Sequence, residues 1–330
     1  MTDIVPASGR APTRPVLRYH GGKWRLAPWI IEHFPPHRVY VEPFGGAGSV
    51  LLRKPRSYAE VYNDRWCDVV NVFRVLRDPV RARILKRLIE LTPFSRDDFD
   101  AIDEKTFAAT EDIVERARLM IFRTLAGFGS NAQALGRKTG FRNNSSRSGT
   151  TPAQDWRNYP DAIEAFVARL QGVVIENREA ADVMLQHDSA ETLHYVDPPY
   201  VHSSRSMANP YDLKYGGYAF EMTDAQHKRL AKVLHDLEGM VVISGYPSAL
   251  YDRLYRKWLR IETVAMADGA RERTECLWIN PAAVAAGAIK QPTMFDSLDG
   301  ASDAHAFGAS APGASRRKSQ SKKQQRSTHA

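Results

Sequence analysis

Seven short apolar runs punctuate this 330-residue chain, and helix-period stretches separate most of them. That alternation constrains the fold more than any other feature. Strands joined by crossover helices must lie mainly parallel, in a sheet covered on both faces. The runs are RVYVE (38–42), YAEVYND (58–64), GVVIEN (172–177), TLHYVD (192–197), MVVISG (240–245), LRIETVA (259–265) and ECLWIN (275–280). The last two leave no room for a helix between them, so an antiparallel terminal hairpin is expected there. Among the connecting stretches, 69–91 repeats apolar residues at helical spacing, as Leu76, Val80, Ile84 and Leu88 illustrate. A second helical stretch, 223–237, opens on Thr223, a suitable N-cap.

Between the second and third runs the character changes. Helical segments surround GSNAQALGRKTGFRNNSSRSGTT (129–151), which is too long and too basic for a mere connector. The chain therefore divides into a flexible N-terminus (1–15), a first part of the core (16–92), a helical insert (93–171), a second part of the core (172–282) and a disordered basic tail (283–330). A net charge of +8 suits a polyanionic partner, although part of the excess lies in SRRKSQSKKQQR near the end. No apolar run is long enough to span a bilayer, and the N-terminus has no signal-like apolar segment. Cys67 and Cys276 lack metal-site spacing, so no metal is expected and the reading is cytoplasmic.

Four motifs carry chemistry. In EPFGGAGS (42–49), Glu42 ends the first strand, and Pro43, Phe44, Gly45, Gly46 and Gly48 lead into a helix. Small residues there let a ligand approach the backbone, and the helix start offers free N–H groups. Neither a P-loop nor the full G-x-G-x-x-G spacing is present, which disfavours a nucleotide triphosphate or a nicotinamide. Asp64, at the end of the second strand, suits the two hydroxyls of a ribose, as in dinucleotide folds. RYHGGKWR (18–25) reads by spacing alone as a loop with a surface lysine; its functional alternative has Tyr19 stacking and Lys23 supplying charge near a carboxylate. Asp197-Pro198-Pro199-Tyr200 closes the fourth strand, where two prolines stop any ladder. Such a corner presents the Asp197 carboxylate and the Pro198 carbonyl as fixed acceptors for a planar amino group, with Tyr200 to stack on a flat ring.

Taken in order, RYHGGK, EPFGGAGS, VYND and DPPY resemble the DNA adenine methylase family of S-adenosylmethionine-dependent methyltransferases. The resemblance spans roughly 16–281 and includes SGY after the fifth strand and RTECLWINP at the close. It implies a Rossmann-like methyltransferase sheet with a helical target-recognition insert, acting on double-stranded DNA as a monomer. The cofactor would be S-adenosylmethionine, with Glu42 and the glycine turn holding its methionine portion, Asp64 its ribose, and Tyr19 and Lys23 completing the pocket. The target adenine would be flipped out of the duplex, stacked on Tyr200, and methylated on its 6-amino group. Arg137, Lys138, Arg142, Asn143 and Asn144 of the insert are the candidates for phosphate and base contacts. Residues 202–218 are expected to form a loop that orders around DNA, and QPTMFD (291–296) faintly resembles a sliding-clamp-binding peptide. Two rivals stand beside this reading: an amino methyltransferase acting on RNA or protein glutamine, and a non-catalytic DNA-binding relative.

Overall fold

All seven apolar runs pair into one sheet in the computed structural model, which describes residues 11–129, 139–144, 149–201, 220–267 and 271–288. Arg137, Lys138, the whole 202–218 segment and the 291–296 peptide lie outside the described residues. The strands are β1 (Val39–Glu42), β2 (Ala59–Asn63), β3 (Val173–Glu176), β4 (Thr192–Val196), β5 (Met240–Gly245), β6 (Leu259–Ala267) and β7 (Arg271–Ile279). Their order is β3-β2-β1-β4-β5-β7-β6. The first five pair in parallel, while β7 runs antiparallel to both β5 and β6. The hairpin of the last two strands is therefore present, and β7 enters between β5 and the edge strand.

From β1 the chain first builds outward through β2 and β3, then returns to add β4 and β5 on the other side. The direction of winding reverses between β1 and β4. Open α/β sheets bind ligands in the crevice outside the carboxyl ends of strands at such a switch point. Glu42 ends β1 and Asp197 follows β4, so topology alone brings the two motifs together across 155 positions of sequence.

Every residue of β4 and β5 is buried, as continuous apolar strands covered on both faces should be. One face carries the larger core, in which Phe73 and Leu76 meet Met120, Phe122 and Phe166. Helix Ile113–Ala126, within the insert, packs into this same core. On the opposite face Leu230, Leu234, Tyr251 and Trp258 cover Val241 and Ile243.

The 69–91 stretch is two helices, Cys67–Arg77 and Pro79–Leu91. Asp78 breaks it, accepting hydrogen bonds from the N–H groups of Val80 and Arg81 as an N-cap, with Pro79 in the first turn. The change of axis turns Val80 and Ile84 to solvent, 62% and 49% exposed, and buries Ala82, Leu85 and Ile89 instead. Order also extends past the expected end of the core. Asn280 accepts from Val241 N–H and Ala283 N–H at 2.9 Å each, capping a helix over Pro281–Ala285 where a disordered tail was expected from 283. Near the other end, Arg14 pairs with Asp155 at 3.1 Å and lies over the ring of Tyr159, within the stretch expected to be flexible.

Candidate active site

The glycine turn after β1 is held by its own backbone and by two aromatic rings. Gly45 N–H donates to the Asn63 carbonyl at 2.7 Å, and Gly48 N–H to the Gly45 carbonyl at 2.7 Å. Gly46 and Gly48 adopt φ of +47° and +61°, the left-handed region that favours glycine. Gly45 is required for a different reason. A Cβ there would stand 2.2 Å from the ring of Tyr62, which stacks on Phe73 and donates its hydroxyl to the Gly46 carbonyl at 2.6 Å. Here the missing side chain makes room for the protein's own core. At Gly46 a Cβ would meet the Tyr19 ring at 2.9 Å, and Tyr19 and Gly46 both line the cavity described below. Gly45→Ala is expected to cost about 1–3 kcal/mol of stability by overpacking, read as a lowered denaturation midpoint.

Glu42 is 2% exposed, and its Oε2 accepts from the Tyr40 hydroxyl at 2.6 Å and the Leu51 N–H at 2.9 Å. It thus caps the helix Ser49–Arg53 from the end of β1. Burial pushes its carboxyl up to about 8, against the opposing pull of those two donors. The sign of the resulting pH dependence follows. The unfolded group titrates near 4.5, so between there and about 8 the folded chain binds more protons, and stability falls as pH rises through that window. Glu42→Gln should flatten this slope by up to about 1.4 kcal/mol per pH unit, measured by denaturant titrations across the window.

Asp64 ties the two strand ends together. Its Oδ2 accepts from Gly46 N–H and its Oδ1 from Trp66 N–H, each at 2.8 Å. Burial raises its pKa, partly offset by these backbone donors. Each oxygen keeps a second lone pair for a ligand hydroxyl. Asn63, part of VYND but given no role by the sequence reading, does comparable work: its amide donates to the Pro43 carbonyl at 2.9 Å and its oxygen accepts from Arg178 N–H at 2.9 Å. It thereby joins the loops after β1 and β3.

The Asp197 carboxylate is held at both of its oxygens. Ser244, at the end of β5, donates its hydroxyl to Asp197 Oδ1 at 2.7 Å, and Tyr195 OH lies 3.2 Å from the same Ser244 oxygen. Lys23 Nζ sits 3.0 Å from Asp197 Oδ2 and donates to the Gly21 carbonyl at 2.7 Å. The lysine read by spacing as a surface residue is 6% exposed, and the carboxylate it faces is that of the Asp-Pro-Pro-Tyr corner. Its ammonium also stands 4.6 Å from the centroid of the Tyr200 ring. Tyr200 is 3% exposed, meets Tyr246 edge-on at 4.6 Å, and donates its hydroxyl to Glu275 Oε2 at 2.8 Å. Burial raises the Glu275 pKa, while Lys23 and the Tyr200 hydroxyl pull it down.

Of these groups, Lys23, Tyr195 and Asp197 line a cavity of about 420 Å³, within the roughly 300–1,000 Å³ typical of small-molecule sites; Pro198, Tyr200, Ser244 and Glu275 are not among its walls. Its walls include Tyr19, Glu42, Gly46, Asp64, Asp197 and Pro199. Sequence reasoning missed the far wall, formed by Arg178 and Glu179 after β3 and by Phe220, Met222 and Leu230. No spacing rule marks a wall assembled from loop and helix residues of ordinary composition. The insert candidates are placed unevenly. Arg142 donates to the Leu125 carbonyl at 2.7 Å, and its backbone N–H to the Ala126 carbonyl at 2.7 Å, so it anchors the segment to helix Ile113–Ala126. Asn143 and Asn144 are exposed.

Comparison with known proteins agrees with this geometry. A sequence model of the D12 class N6 adenine-specific DNA methyltransferase family matches residues 19–266. The DNA adenine methylase of Vibrio cholerae serotype O1 is 27% identical over 249 residues, 74% of this chain and 85% of the relative. That of Haemophilus influenzae is 26% identical over 253 residues, covering 73% and 82%. That of Salmonella typhi is 26% identical over 251 residues, covering 74% and 84%.

Proposed function

The chain belongs to the D12 class N6 adenine-specific DNA methyltransferase family and methylates adenine in DNA; from that premise we propose that S-adenosylmethionine is its methyl donor and that the Asp197 corner presents the 6-amino group of an adenine flipped from duplex DNA. The observation that carries this reading is the meeting of Glu42, the glycine turn, Asp64 and Asp197 around one cavity at the switch point of the sheet. The residues fit the cofactor. Glu42 and Asp64 supply carboxyl oxygens for an ammonium and for ribose hydroxyls, a bound ammonium favouring the ionised form of Glu42 that burial disfavours, and the glycine turn supplies a close backbone wall. When bound, S-adenosylmethionine supplies an electrophilic methyl group on a sulfonium.

The exocyclic amine of adenine is a poor nucleophile because its lone pair is delocalised into the ring. Asp197 and the Pro198 carbonyl, accepting its two hydrogens, favour a geometry in which that lone pair leaves conjugation and points toward the cofactor pocket. Ser244 and Lys23 hold the carboxylate in place, so alignment is prepaid in the folded protein. Stacking on Tyr200 offsets the cost of flipping by about 1–3 kcal/mol per base. Because Lys23 now stands over that ring, base entry requires the lysine to move off it while keeping a carboxylate partner. Asn143 and Asn144, with Arg137 and Lys138, are the proposed DNA contacts of the insert; the cytoplasm of a bacterial or phage-infected cell is the proposed location, supported by the bacterial origin of the relatives.

The test is transfer of a labelled methyl group from S-adenosylmethionine to unmethylated duplex DNA, to RNA and to protein, followed by identification of the modified base. Label in DNA as N6-methyladenine is expected. Label confined to RNA or protein, or none at all, would overturn the reading.

A further inference from the structure

Glu275 is a carboxylate in a place where stability alone would not put one. It is 8% exposed, and the burial that raises its pKa is compounded by the nearby charge of Asp197. Two carboxylates there face the ammonium of Lys23, and the Arg273 guanidinium also lies near enough to pull the Glu275 pKa down. Removing a charge from water costs several kcal/mol, and a second like charge beside it adds to that cost. Its hydrogen bond identifies what the carboxylate does: Oε2 accepts the hydroxyl of Tyr200 at 2.8 Å.

The sheet explains how β7 reaches the catalytic corner. Against β5 it pairs Ser244 with Leu277 and Gly245 with Cys276. Continuing that register by one residue sets Glu275 beside Tyr246, whose ring meets Tyr200 edge-on at an interplanar angle of 79°. Adjacent strands β4, β5 and β7 thus deliver Asp197, Ser244 and Glu275 to one side of the site. Ser244 fixes the carboxylate of the corner, and Glu275 fixes its aromatic ring.

We propose that Glu275 is a positioning residue for methyl transfer, acting through Tyr200: it holds the phenol hydroxyl so that the ring presents one fixed surface to the target base. This rests on the reading that Tyr200 meets that base. A hydrogen bond to a charged acceptor is the stronger kind, and it removes the rotation and tilt an aromatic ring would otherwise keep in a pocket opened for a base. A phenylalanine at position 200 would keep the stacking surface and lose the anchor.

The experiment is a double-mutant cycle in the single-turnover rate of DNA methylation, at a temperature where every variant is shown folded by circular dichroism. Glu275→Ala and Tyr200→Phe are each expected to slow transfer roughly 10- to 100-fold, and the double variant to be no slower than the worse single one. Glu275→Gln, whose amide oxygen can still accept the hydroxyl, should recover most of the rate. DNA affinity should be little changed in all four variants. Multiplicative losses in the double variant, or a full rate in Glu275→Ala, would overturn the proposal. An inert wild-type protein would instead overturn the functional reading on which it rests, so the two failures are distinct.

Discussion

Replacing Asp197 with alanine is expected to lower methyl transfer to DNA on the order of 10³-fold, with DNA affinity nearly unchanged. In the proposed mechanism the carboxylate is one of two acceptors for one amino group, and the Pro198 carbonyl alone could not hold both hydrogens. Its orientation is over-determined, by the Ser244 hydroxyl at 2.7 Å on one oxygen and by the Lys23 ammonium at 3.0 Å on the other. Alanine removes the acceptor and leaves this scaffold with nothing to orient. DNA affinity rests mainly on phosphate contacts made elsewhere, so a gel-shift assay should register little change. Folding should persist, because Lys23 keeps the Gly21 carbonyl and the neighbouring charge of Glu275. Asp197→Asn retains one acceptor oxygen but loses the charge facing Lys23, and an intermediate rate is expected. Undiminished methylation by the alanine variant would remove Asp197 from the mechanism.

Much of this site is legible in the sequence because its parts sit at punctuation marks. Glu42 and Asp64 close apolar runs, glycines follow the first, and two prolines follow the fourth. Strand–helix alternation then fixes a mainly parallel sheet, and the order of motifs places them at its switch point. What stays hidden depends on contacts between distant residues. Nothing in YAEVYND says that Tyr62 lies where a Cβ of Gly45 would be, so the need for a glycine against that ring stays hidden, while Gly45 also lines the cavity. By spacing alone Lys23 reads as a surface lysine, because its partner lies 174 positions away, and only the resemblance puts it in the pocket. Ser244 and Glu275 belong to segments whose resemblance was visible, but their roles depend on which strands are neighbours, and β7 inserts between β5 and β6 out of sequence order. The Leu76-Val80-Ile84-Leu88 spacing misleads for a local reason, since an Asp-Pro step restarts the helix within it.

The largest loss of stability is expected from a carboxylate that lines no part of the cavity. Glu60, on β2, is 3% exposed and holds two buried cations: Lys54 at 2.7 Å, and Arg169 through both oxygens at 2.6 and 2.9 Å. Burial alone would raise its pKa, but Arg169 and Lys54 outweigh that and hold the carboxyl below its usual range. Glu60→Ala leaves an ammonium and a guanidinium buried without their counter-charge. Breaking such a cluster on one side costs about 3–5 kcal/mol, which corresponds to a fall of roughly 10 °C in melting temperature for a protein near this size. Glu60→Gln, keeping an acceptor of the same shape, should lose less. At temperatures where the alanine variant remains folded, its methylation rate should stay close to that of the wild type, since the cluster ties β2 to helix Ile163–Leu170 behind the pocket. An unchanged melting temperature would mean that the cluster contributes nothing in solution. Asp197 and Glu60 are both acids paired with a buried lysine, and what separates their roles is exposure to the cavity: 17% of the Asp197 side chain is accessible there, against 3% for Glu60. The first can therefore hand a lone pair to a substrate, whereas the second has its lone pairs committed to the fold.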